Sequence, residues 1–69
     1  MVHIEVVVHP KGQPKPLTYR NVECIALEYN KHSNEIAVYE NFEQWCDGTP
    51  GYYFIDVVKF KYFDDSTGV

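Results

Sequence analysis

Positive charge is scarce in this 69-residue chain, where six Lys and Arg stand against ten Asp and Glu for a net charge of −4. A nucleic-acid binder gathers basic residues beside exposed aromatics, and here the basic residues are scattered. Lys59 and Lys61, alternating with Phe60 and Tyr62, make the best local case. They read more simply as the solvent face of a strand, where lysines guard against edge pairing. Direct nucleic-acid binding is therefore not expected. Cysteine is scarce too: Cys24 and Cys46 are too few for a disulfide-dense secreted scaffold. They read as two buried, reduced thiols of a cytoplasmic protein, although count alone leaves one bridge open. Long apolar runs are missing; Val6–Val8 is far short of a membrane span. No basic stretch leads into an apolar one at the N-terminus, so a signal peptide is not expected.

The spacings that carry chemistry are also missing. His3, His9, His32, Cys24 and Cys46 offer no pair at metal-ligand spacing. His3 and His9 sit at opposite ends of one expected strand, roughly 20 Å apart at the rise of an extended chain. Ser33 and Ser66 have no nucleophile elbow around them, and Cys46 has Asp47 beside it rather than a cation that would favour the thiolate. The Gly-Thr-Pro-Gly at 48–51 lacks the lysine and the helix that a phosphate loop needs. A chain of this length is expected to lack the depth for a pocket of ~300 Å³ or more. The expectation is a non-enzyme with no cofactor and no metal.

What the chain does have is aromatics: one Trp, six Tyr and four Phe. A short chain buries a small fraction of its surface, so these large side chains are expected to fill the core, Trp45 among them. The charge is uneven. Residues 1–39 balance four basic against four acidic side chains, whereas residues 40–69 carry two against six.

Residues 2–8 alternate, with Val2, Ile4, Val6 and Val8 on one face, as a half-buried strand requires. The three prolines and the glycine of 9–16 make a loop. Residues 17–30 fit either a strand or, over 22–29, a helix. A polar turn at 30–34 and a second alternating run at 35–41 favour the hairpin. Residues 42–46 suit one helical turn after Asn41 or a continued strand, and 47–51 must turn. Residues 52–63 read as one long strand, with a β-bulge near Asp56–Val58 that brings Tyr53 and Ile55 onto the same core face as Val58, Phe60 and Tyr62. Residues 64–69 read as a frayed tail. The fold class expected for the single domain 1–69 is mainly β, or α+β with one short helix, an antiparallel meander curled into a small barrel or sandwich.

Function then falls to residues 41–54, which hold the Trp, a Cys, two Phe and two adjacent Tyr around the breaker. Neighbouring strand residues point to opposite faces, so Tyr52 and Tyr53 cannot both face inward. Glu43, Trp45, Asp47, Tyr52 and Tyr53 are the candidate contact residues of a non-catalytic protein-binding module, and a partner with a basic, apolar surface would suit them. In size and charge the chain resembles short inhibitors made by phages and mobile elements, a likeness of composition rather than of motif. Two other readings remain open. Glu40, Glu43, Asp47, Asp56, Asp64 and Asp65 would serve an acidic mimic of nucleic acid that inhibits a DNA-binding protein, and surplus aromatics would serve a homo-oligomer.

Overall fold

The computed structural model describes residues 2–64, and of Asp64 only the backbone. The chain forms β1 (Val2–Val8), β2 (Leu17–Cys24), β3 (Ala26–Asn30), β4 (Glu35–Tyr39), α1 (Phe42–Asp47), β5 (Tyr52–Phe54) and β6 (Val57–Asp64). These strands make two antiparallel three-stranded sheets, ordered β2-β1-β6 and β3-β4-β5. The mainly β class with one short helix is as the sequence suggests. The closed barrel is not found among the described strands. The hydrogen-bonded ladder breaks wherever the chain passes from one sheet to the other, at Ile25 and again at Ile55–Asp56. Nor is the order a plain meander, because β6 returns to pair with β1.

The hairpin expected of 17–30 and 35–41 holds in part: β3 pairs with β4 through a turn at 31–34 and no helix forms at 22–29, but the first arm breaks at Ile25 and its earlier part, β2, joins β1 instead. Asn34 closes that turn at φ +56°, a left-handed conformation that asparagine tolerates. Residues 52–63 are not one strand. Asp56 takes φ +55° and turns the chain, so β5 joins β4 while β6 joins β1. The bulge lies where alternation slips: Val8 pairs with Val57 but Val7 pairs with Lys59, which leaves Val58 extra. Its effect differs from expectation. Tyr53, Ile55, Val58 and Tyr62 are exposed, whereas Val57 is buried and Phe54 and Phe60 pack against the core. The tail begins later than expected, since Asp64 still pairs with Val2; residues 65–69 lie outside the described ones.

Strand parity decides the core. The even residues of β1 and β4 point inward, and Ile4, Val6, Val8, Ile36 and Val38 form one cluster with Cys24 and Val57. Each such aliphatic side chain contributes about 1.5–3 kcal/mol when fully buried. The core is thus aliphatic and drawn from both sheets, with aromatics around it: Tyr19 meets Phe54 at 5.1 Å and Tyr29 meets Phe60 at 5.0 Å between ring centroids. Trp45 is not core. It is 48% exposed, because α1 buries no residue and lies outside the sheet, where the β-branched residues of β4 already fill the inner face. The thiols differ from expectation as well. Both are free, but only Cys24 is buried; Cys46, on α1, is exposed.

Candidate functional site: a groove on the outer face of the second sheet

The odd residues of β4 that point away from the core are Glu35, Ala37 and Tyr39. Pairing fixes their neighbours: Ala37 lies between Glu28 of β3 and Tyr53 of β5 in one cross-strand row. Only a methyl group stands at the centre of that row, so the sheet face is low there and flanked by larger side chains.

Two turns raise walls around it. At one end, the Asn30 side-chain oxygen accepts hydrogen bonds from the backbone N–H of His32, at 3.0 Å, and of Ser33, at 3.4 Å, which curls the 31–34 turn. The N–H of Val57 donates to the Asn34 carbonyl at 2.9 Å and ties this turn to β6. At the other end stands the C-terminus of α1. Asn41 caps the helix start by accepting from Gln44 N–H at 2.9 Å, and the Gln44 side-chain oxygen accepts from Glu40 N–H at 2.7 Å. Gly48, at φ +71°, ends the helix in the left-handed conformation that glycine adopts at little cost. Gly48 and Pro50 then line the rim opposite His32.

The result is an open groove of about 560 Å³. This overturns the expectation that so short a chain lacks a pocket of that size. The volume comes from turns standing above a flat sheet face and needs no deep interior.

Tyr39 organises the groove. It is only 5% exposed and donates its hydroxyl to Glu28 Oε1 at 2.5 Å. That hydrogen bond, and after it burial, pushes the phenol above its ordinary value, so it stays a neutral donor in the ordinary working range. The Trp45 ring meets Tyr39 edge to face, 5.0 Å between centroids at 89°. Glu28, Glu35 and Lys31 all line the groove, two carboxylates against one ammonium, with Glu35 and Lys31 both at its turn end. The salt bridge recorded among the described residues, Arg20 to Glu5 at 2.6 Å, lies on the other sheet.

Of the five candidate residues, only Tyr53 lines the groove, at 58% exposure. Trp45 supports it through Tyr39. Tyr52 points the other way, beside Phe54 at 5.5 Å, and burial raises its phenol above the ordinary value, with smaller contributions from Glu40 and Cys24. Glu43 and Asp47 sit on α1 outside the groove lining. Glu28, Glu35 and Tyr39 were not candidates from sequence. Their signal was the hairpin register, which sets Glu28 opposite Ala37 once the 31–34 turn is placed.

The two alternative surfaces are divided by the fold. Lys59 and Lys61 pair with Val7 and Glu5 on the outer face of β2-β1-β6, whereas Phe60 turns inward against Tyr29. Glu40, Glu43 and Asp47 cluster around α1, and Asp56 stands at the β5–β6 bend. Among the described residues, no three His, Cys, Asp or Glu side chains gather to hold a metal, and no helix is long and apolar enough to cross a membrane. Compared with known proteins, the chain matches no family model, no curated protein and no solved structure.

Proposed function

We propose that the protein is a non-catalytic protein-binding module, and that its contact surface is the outer face of β3-β4-β5 together with α1. The observation that carries this reading is the groove itself. It has the volume of a recognition site, a small-residue floor at Ala37 and an exposed ring, Tyr53, at its side. Tyrosine offers large, rigid contact area at low entropic cost. Trp45 and Phe42, three residues apart on α1 and both exposed, extend the apolar surface beside it. The free thiols suit a reducing cytoplasm, and an inhibitor or accessory role fits a small module of this kind. The core cluster shared by the two sheets supports reading them as layers of a small sandwich.

The test is photo-crosslinking in extracts of the native host, with a crosslinking residue placed at Tyr53 or at Lys61. One protein should crosslink from 53 and not from 61, and Ala37→Arg, which fills the floor, should abolish it while the variant stays folded. Equal crosslinking from both positions, or no effect of Ala37→Arg, rules the surface out.

A second reading is self-association. Leu17, Tyr29, Phe42, Val58, Tyr62 and Phe63 are all exposed, a heavy apolar load for a surface this small. Sedimentation as a monomer at high micromolar concentration would exclude it.

A further inference from the structure

The groove's chemistry is more specific than its volume. Adjacent strands lie about 4.8 Å apart, so Tyr53 and Glu28, two strands apart, have their backbones roughly 10 Å from one another with only the Ala37 methyl between. An aromatic ring thus stands on one side of a narrow slot and a carboxylate on the other. Glu28 is held in place: its Oε1 accepts from Tyr39, and among the described residues no donor is recorded at Oε2. Glu35, half-buried two residues along β4 from Ala37, adds a second carboxylate with no ion-pair partner among the described residues. Lys31 and His32 stand at the turn end of the groove, and the one ammonium leaves the slot negative.

A flat cation meets each of these features. Guanidinium stacks on an aromatic face, bonds a carboxylate through its N–H fork and loses less hydration than ammonium does. We infer that the groove takes an arginine side chain of a partner protein, its guanidinium lying over Ala37 between the Tyr53 ring and the Glu28 carboxylate. The inference rests on the reading of this groove as the contact surface. The arginine comes from another protein: the chain's own single arginine, Arg20, is already paired with Glu5.

The test is a ¹⁵N-labelled titration of the full chain with acetyl-Gly-Arg-Gly-amide, beside the same peptide carrying citrulline, the neutral isostere. A lone side chain should bind only at roughly millimolar concentration. The expected result is that the amides of Glu28, Ala37 and Tyr53 shift with the arginine peptide, and that citrulline binds about tenfold more weakly. Glu28→Gln and Tyr53→Ala should each weaken the arginine peptide severalfold with the rest of the spectrum retained, whereas Lys59→Ala should leave it unchanged. Equal shifts with both peptides would overturn the inference and leave a groove that binds polypeptide without reading charge. No shifts in the groove with either peptide would also overturn it, while the crosslinking experiment judges the contact surface by itself.

Discussion

The Tyr39 hydroxyl reaches across from β4 to the Glu28 carboxylate on β3, at 2.5 Å, on the outer face of a sheet whose inner face is the core. The phenol is almost wholly covered, whereas Glu28 remains open to water. A hydrogen bond to a partly solvated charge sits near the low end of its range. Tyr39→Phe should therefore cost about 1 kcal/mol, read as a lower urea midpoint with unchanged slope. The same variant should also weaken groove binding, because Glu28 loses its anchor. A variant that binds normally would separate Tyr39 from the site.

Alkaline pH should destabilise the fold. Tyr39 and Tyr52 both have raised phenol values in the folded chain, the first through Glu28 and the second through burial, and burial raises the Cys24 thiol. A raised value means the neutral form is favoured in the native state. The stability these groups contribute is fully present below the unfolded values, 9.0 for the thiol and 10.0 for the phenols, and is lost as pH rises through the folded ones. Urea midpoints measured from pH 7 to pH 11 should stay level on account of these groups to about pH 9 and then fall, less steeply in Tyr39→Phe. A flat profile through the alkaline range would contradict the bond of Tyr39 to Glu28 and the burial of Cys24.

Trp45 and Ile36 should exchange the importance that size alone would give them. Trp45 rests on the outside, touching Tyr39 edge-on, so Trp45→Ala should cost about 1–2 kcal/mol. Ile36 is fully buried, and Ile36→Ala should cost about 2–5 kcal/mol, enough to unfold a chain with so small a core. Thermal melts of the two variants decide the matter, and a larger loss from Trp45→Ala would place the indole in the core after all.

This contrast shows what the sequence made legible. Period-two alternation in 2–8 and 35–41 placed Ile4, Val6, Val8, Ile36 and Val38 on one face each, and those faces form the core. Parity also separated Tyr52 from Tyr53. Composition misled where it stood in for geometry. The supply of aromatics suggested an aromatic core, but alternating β-branched residues on β1 and β4 already make up most of the buried cluster. The groove was hidden because its residues are distant in sequence: Glu28, Ala37 and Tyr53 meet only through two registers, neither of which composition reveals.

The thiols should differ in reactivity. Cys46 is exposed on α1, whereas Cys24 lies in the core with its thiol value raised by burial. Thiolate, the reacting form, is therefore both rarer and less accessible at Cys24. A thiol reagent at pH 8 should label Cys46 at once and Cys24 only as fast as the chain opens. Simultaneous labelling would mean that the Cys24 end of the core is not closed.

Asp56 should be the residue on which the passage between the sheets depends. Its φ of +55° lets Phe54 pair with Ile36 in one sheet and Val57 with Val8 in the other, and its carbonyl accepts from His9 N–H at 2.9 Å. The left-handed conformation costs an ordinary residue about 1–2 kcal/mol, less for aspartate and least for glycine. Asp56→Ala should therefore lower stability by about 1 kcal/mol, and Asp56→Gly should stay within about 0.5 kcal/mol of the parent. Denaturant unfolding of the pair gives the comparison. If alanine and glycine proved equal, the turn would owe nothing to its left-handed backbone, and the long strand that the sequence suggests at 52–63 would be the better description of this segment.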